Sequence, residues 1–188
     1  MTSRLDVLLE ANQQHAKHFM RGDLPMPPAR HIAIVTCMDA RLEPLSFLGL
    51  DLGDAHVIRN AGGRVSVEAL RSLVISERLL GTDTILVIHH TDCGMLTFSN
   101  EQLRERVGQD LGEAARQATE QIDFLPFTDL VASVRADVAA IKKSPLIPPS
   151  IPRVWPDLRC PHGHARRNCV AASPRRRRHT RGGGSTIR

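Results

Sequence analysis

HIAIVTCMDARL, residues 31–42, opens on a short apolar run rich in β-branched side chains and closes on a cysteine, an aspartate and an arginine. An apolar run of this length without alternation reads as a strand buried on both faces. Two similar runs follow, AHVIR at 55–59 and DTILVIHH at 83–90. Between them, residues 65–81 (VSVEALRSLVISERLLG) carry a helical pattern, with Val67, Leu70, Val74 and Leu80 as the expected apolar stripe and Gly81 as the stop. Further helices are expected over 4–20, over about 99–120 and over 128–144; the last has Leu130, Val134, Val138 and Ile141 in register and ends before Pro145. Strand, helix and strand in alternation predict an α/β fold, a central and mainly parallel β-sheet flanked by helices.

Composition bounds the organisation. The 188 residues are 41% hydrophobic and 24% charged, enough for one domain with a buried core. The net charge of +5 hides a division: residues 151–188 hold ten Arg and one Asp, whereas residues 1–150 hold 15 Lys and Arg against 19 Asp and Glu. The expected organisation is one folded domain at 1–150 and an Arg-, Pro- and Gly-rich tail at 151–188, disordered because it has no apolar periodicity. No apolar run is long enough for a membrane span and the start lacks the pattern of a secretory signal, so a cytoplasmic location is expected.

In a reducing compartment the four cysteines, at 37, 93, 160 and 169, read as metal or catalytic thiols before they read as disulfides. Cys37-Met38-Asp39-Ala40-Arg41 closes the first strand, Asn60-Ala61-Gly62-Gly63 the second and His90-Thr91-Asp92-Cys93-Gly94 the third. Ligands of parallel sheets gather beyond the carboxyl ends of the strands. Two Cys and one His brought together there make a tetrahedral zinc site with one position left over, where the ion can lower the pKa of a water to near neutrality. Asp39, paired with Arg41, would stay ionised and accept a hydrogen bond from that water; released from Arg41, it could bind the zinc itself.

C-x-D-x-R at 37–41, R-N-A-G-G at 59–63 and H-x-x-C-G at 90–94, in this order and spacing, resemble a β-class carbonic anhydrase, over roughly residues 5–147. The PMPP lead-in and HHTDCGM are similar to a small bacterial and actinobacterial branch of that family. The resemblance implies one Zn²⁺ per subunit on Cys37, His90 and Cys93, with Asp39 and Arg41 as the catalytic dyad and Asn60, Ala61 and Gly62 along the substrate cleft. It implies reversible hydration of CO2 to bicarbonate and a proton by attack of zinc-bound hydroxide. It also implies a tight homodimer or a dimer of dimers, with the N-terminal helix lying across the partner. Relatives of the family hydrolyse carbonyl sulfide or carbon disulfide, and the same site admits that alternative. A noncatalytic zinc protein with a nucleic-acid-binding tail is a third reading, which the complete five-residue set opposes.

Blander readings accompany the sharp ones. His89 alternates away from His90 and is expected to be packed or hydrogen-bonded. Asp39–Arg41 also reads as a structural ion pair, Asn60–Gly63 as a turn, and Met95, Leu96 and Phe98 either as an apolar CO2 path or as core. Asp92 reads as a surface residue or one behind the site. His56 and Arg59 show no partner in the sequence. In the tail, Cys160, His162, His164 and Cys169 fit no known zinc-finger spacing, and Arg175 to Arg178 would hold nucleic acid only nonspecifically, through phosphates. The tail lacks the strand and the Asp-Val-x-Thr-Gly turn that the family pattern places after PLIPP. PDLRCPHGH, back-translated with suitable codons and read one base later, becomes RTYDVHTGT, which predicts a one-base frameshift near residue 152.

Overall fold

Parallel pairing of the apolar strands organises the chain. The computed structural model describes residues 3–154. Helix α1 spans Arg4–His18, strand β1 Ile32–Cys37, helix α2 Pro44–Leu48, strand β2 Ala55–Asn60, helix α3 Val67–Leu80 and strand β3 Thr84–Ile88. They are followed by α4 at Asn100–Leu111, α5 at Glu113–Ala118, α6 at Leu130–Lys143 and a two-residue strand β4 at Arg153–Val154. The sheet order is β2-β1-β3-β4, and every pairing is parallel. β1 lies between β2 and β3, which accounts for its near-total burial from Ala33 to Cys37.

The register puts Cys37 opposite Asn60 on one side and Thr36 opposite Ile88 on the other. All three strands therefore end at one level, with their carboxyl ends on the same edge. Below that edge Ala33, Val35, Ile85 and Val87 pack with Ala69 and Leu73 of α3 and with Val138 and Ile141 of α6. Fully burying each of the Val, Leu and Ile side chains contributes about 1.5–3 kcal/mol. Local signals set the helix ends: Ser66 accepts from the Ala69 N–H, Asp129 from the Ala132 N–H, and Gly81 closes α3 in the left-handed conformation.

The α/β fold with a parallel sheet flanked by helices is as expected, with corrections. The buried stripe of α3 is Ala69, Leu73 and Ser76, while Val67 is 88% exposed. The stripe is rotated by about 100°, one residue's turn, because its flank of Leu70 and Val74 looked like its centre. The helix expected over about 99–120 breaks at Gly112, whose φ of 92 cannot continue an α-helix. The ordered body also passes residue 150: Ile151 is buried, the Ile85 N–H donates to the Pro152 carbonyl, and β4 extends the sheet where no further strand was expected. That two-residue strand is too short to give a periodic signal. α1 buries none of its residues, and Leu5, Leu8 and Leu9 face outward. Among the described residues no helix is long and apolar enough to cross a membrane. The tail cluster of Cys160, His162, His164 and Cys169, the run Arg175 to Arg178 and the RTYDVHTGT reading lie outside the described residues.

Two glycines with nearly equal φ separate backbone strain from packing. A Cβ on Gly63 (φ 68) would sit 2.9 Å from the backbone of Thr36 and Cys37, whereas one on Gly81 (φ 72) meets nothing nearer than 3.9 Å. Gly81→Ala is expected to cost about 1 kcal/mol in urea unfolding, and Gly63→Ala several-fold more or loss of folding.

Candidate metal centre

The common edge of the strands delivers the chemistry. Cys37 is the last residue of β1, and His89 and His90 follow directly on β3. Asp92, with a φ of 59, turns the chain back so that Cys93 re-enters the edge. The left-handed conformation is one that aspartate tolerates better than most residues. The result is a group in which the Sγ atoms of Cys37 and Cys93 and a ring nitrogen of His90 all lie within 4.8 Å of one another, all three residues being buried.

The geometry suits a tetrahedral ion. With metal–sulfur bonds near 2.3 Å, two thiolates on one tetrahedral zinc lie about 3.8 Å apart. The two Sγ atoms here are 3.9 Å apart. His90 Nδ1 is 2.9 Å from the Thr91 carbonyl oxygen, an acceptor, so Nδ1 carries the ring hydrogen. That leaves the Nε2 lone pair for a ligand, and Nε2 is buried with no hydrogen-bond partner among the described residues. A buried polar atom left so is costly unless something binds it. The donor set of two sulfurs and one imidazole fits zinc, and the residues present fit such an ion.

Electrostatics prepare the same atoms. The Cys37 thiol is held down to about 4, chiefly by a hydrogen bond from Cys93, against burial and with help from the His90 ring and then from the backbone of Asp39 and Gly62. The same contact with Cys37 and the same burial push the Cys93 thiol up. The pair thus shares one proton that a divalent cation would displace.

Beside the sulfurs, Arg41 grips Asp39 with a two-pronged pair: Nε donates to Oδ1 at 2.9 Å and Nη2 to Oδ2 at 2.6 Å. The Arg41 backbone N–H donates to Oδ1 as well. These bonds hold the Asp39 carboxyl well below the usual carboxylate range. Arg41 also donates to the Asp92 carboxylate and carbonyl, tying the loop after β1 to the loop after β3. Asp39 Oδ2 lies 3.8 Å from His90 Nε2, at the margin of the three-ligand group and outside it.

A cleft of about 440 Å³ opens on Cys37, Asp39 and Cys93 between Ala61 and Gly62 on one side and Met95 and Phe98 on the other. Asn60 does not face it: its side chain accepts from the Arg64 N–H and donates to the Arg64 carbonyl, which closes the turn. The turn reading thus accounts for Asn60, while Ala61 and Gly62 line the cleft. Met95 is buried against Cys37, Cys93 and Phe127, so it belongs both to the core and to the wall. His89 is packed and hydrogen-bonded, as its alternation predicts. Arg59 has partners that no sequence pattern showed: its Nη2 donates to the Asp39 carbonyl at 2.7 Å and its Nε to the Cys37 carbonyl at 3.2 Å. The available signal was a lone charge in an otherwise apolar strand. Asp137 gave a similar one, an acid inside the apolar stripe of α6.

Comparison with known proteins agrees with this geometry. The carbonic anhydrase family model matches residues 32–148. The chain is 43% identical over 160 residues to β-carbonic anhydrase 1 of Mycobacterium tuberculosis, covering 76% of this chain and 98% of that protein. It is 34% identical over 166 residues to a carbon disulfide hydrolase of Saccharolobus solfataricus, covering 78% and 80%. The crystal structure of carbonic anhydrase from Streptococcus mutans superposes with a TM-score of 0.75 at 49% identity, covering 82% of this chain and 90% of that one.

The Arg59 clamp generates a prediction. Arg59→Gln is expected to cost about 0.5–1 kcal/mol in urea unfolding, and Arg59→Lys to recover less than half of the loss, because a single ammonium cannot span two carbonyls.

Proposed function

This chain belongs to the β-carbonic anhydrase family, and from that premise we propose that it catalyses the reversible hydration of carbon dioxide to bicarbonate and a proton, with one zinc ion held by Cys37, His90 and Cys93. The observation that carries the reading is the convergence of those three donor atoms within 4.8 Å beside a carboxylate already paired with arginine. A zinc ion there supplies a Lewis acid that brings the ionisation of a water near neutral pH.

The chain's own residues do the rest. Two thiolates balance the ion's charge, and the Thr91 carbonyl fixes the His90 tautomer. Asp39, kept ionised by Arg41, presents Oδ2 as a hydrogen-bond acceptor beside the ligand group and so orients a hydroxyl donor in the cleft. Its engagement with Arg41 supports an open arrangement, in which the carboxylate does not take the fourth metal position. Arg59 and Arg41 anchor the Cys37–Arg41 segment that carries this dyad. Ala61, Gly62, Met95 and Phe98 offer a nonpolar gas a compartment with few competing polar groups.

The outward-facing Leu5, Leu8 and Leu9 of α1 support a homodimer in which this helix packs on a second copy. Reduced thiols at the centre suit a reducing compartment such as the cytoplasm. Hydrolysis of carbon disulfide or carbonyl sulfide is a second reading, favoured by the 34% identity to the Saccharolobus solfataricus hydrolase. The same cleft suits these gases, and the higher identity to a carbonic anhydrase puts carbon dioxide first.

Stopped-flow carbon dioxide hydration on the purified full chain, with zinc content measured on the same sample, is expected to show turnover and one zinc per chain. Parallel assays with carbonyl sulfide and carbon disulfide decide between the gases. Cys37→Ser and His90→Ala are expected to lose zinc and activity together. Asp39→Asn is expected to retain zinc and lower turnover by about a hundredfold or more; full activity in that variant removes Asp39 from the mechanism.

A further inference from the structure

Behind the turn Ala61–Gly63 lies a buried polar cluster that the reaction does not use. Asp137 of α6 is at its centre, 4% exposed. Arg64 Nε donates to Asp137 Oδ2 at 2.8 Å, and the Val65 N–H donates to Oδ1 at 3.1 Å. His89 Nε2 lies 3.1 Å from both Asp137 Oδ2 and the Gly63 carbonyl oxygen. Both are acceptors, so this nitrogen carries the hydrogen and is shared between them. On the other side of the ring, His89 Nδ1 meets Ser133 Oγ at 2.9 Å. Arg64 Nη1 donates to the Leu125 carbonyl at 2.6 Å, and its guanidinium lies over the Phe127 ring. Burial alone would raise the Asp137 carboxyl, but the hydrogen bonds from His89 and Arg64 outweigh it and hold the group below the ordinary range, so it is the carboxylate that sits there.

The cluster therefore pins three consecutive residues, Gly63 through its carbonyl, Arg64 through its guanidinium and Val65 through its amide. Gly63 is pressed so closely on β1 that a Cβ would lie 2.9 Å from the Cys37 nitrogen, and one on Gly62 would lie 2.8 Å from Met95. Gly62 and Cys37 line the same cleft. A turn held from behind by a buried charge and in front by direct backbone contact has little freedom, and the end of β1 that carries Cys37 packs on it.

We propose that Asp137, acting with His89 and Arg64, is a positioning residue for the metal centre: it locks the turn Ala61–Gly63 against the backbone of Cys37, and thereby fixes where the Cys37 sulfur stands toward a bound metal ion. The inference rests on the zinc reading above. Groups that orient a ligand change both metal affinity and the energy of ligand-to-metal charge transfer.

The test uses the full-length protein with cobalt(II) in place of zinc. Thiolate-to-cobalt charge-transfer bands in the near ultraviolet report on the sulfurs, and zinc affinity is measured by competition with a chromophoric chelator. Asp137→Asn keeps the shape and removes the charge. It is expected to shift the charge-transfer band and to weaken zinc binding by about tenfold or more. Val138→Ala, on the same helix and equally buried, serves as the control for destabilisation alone; it is expected to lower Tm while leaving band and affinity as in the unaltered protein. Should Asp137→Asn not fold, Ser133→Ala decides, since it removes only the partner of His89 Nδ1 and is expected to move the band in the same direction by less. A band and affinity unchanged in the aspartate variant, or in the serine variant where that one decides, overturn the proposal. An equal shift in Val138→Ala does the same. An unaltered protein that shows no charge-transfer band with cobalt overturns the zinc reading, and this proposal with it.

Discussion

Two sulfur atoms that approach to 3.9 Å beside a buried imidazole nitrogen are the constraint around which the rest of the structure is arranged. Without a cation the approach is unfavourable, since both sulfurs cannot ionise at that distance and one proton must be shared between them. It is maintained because the sulfurs sit on segments whose positions are set elsewhere. Cys37 is the end of the central strand, paired on both sides, and Cys93 lies on a loop whose preceding aspartate is held by Arg41. The sheet spends its regular hydrogen bonds on bringing distant residues to one edge, and the edge loops turn that alignment into a ligand set.

Around the ligand set, charge is organised by arginines. Arg41 joins the carboxylates of Asp39 and Asp92, and Arg59 reaches from the edge strand to the carbonyls of Cys37 and Asp39. Arg64 does the same work on the other side, from within the core, toward Asp137. The first two are solvent-accessible, so their energetic contribution is modest and their value is directional: each fork fixes the orientation of a planar acceptor or joins two loops. The third is buried, and a buried pair of this kind contributes more to a single defined arrangement than to net stability. The centre is therefore surrounded by rigid guanidinium contacts on the side that does not open to the cleft.

The glycine turn after β2 joins these two organisations. Its backbone lies so close to β1 that no Cβ fits at Gly63, and Gly62 lines the same cleft as Cys37. The absence of a side chain at Gly63 lets the main chain pack directly on the segment that carries Cys37. Met95 and Phe127 fill the space on the outer side, and their bulk limits how far the turn can shift.

Much of this was legible in the residues alone. Apolar runs bounded by turn residues marked three strands, and ligand-type residues at their ends marked an edge site, because parallel strands bury both faces and present their carboxyl termini together. Cys37, His90 and Cys93 were readable as a set for that reason, and Asp39 with Arg41 because two residues of separation after a strand bring a carboxylate and a guanidinium together. The rotation of α3, the break at Gly112 and the strand at Arg153–Val154 were not readable. Half-buried flanks resemble a stripe centre, a helix break needs only one backbone angle, and two residues have no period. Arg59 and the Arg64–His89–Asp137 cluster were hidden for a more general reason. Sequence determines which residues share an element and what chemistry they carry. Which lone charge on one element meets which carbonyl or carboxylate on another depends on how the elements pack, and only the tertiary structure decides that, since contacts between residues 20 to 73 positions apart leave no local trace.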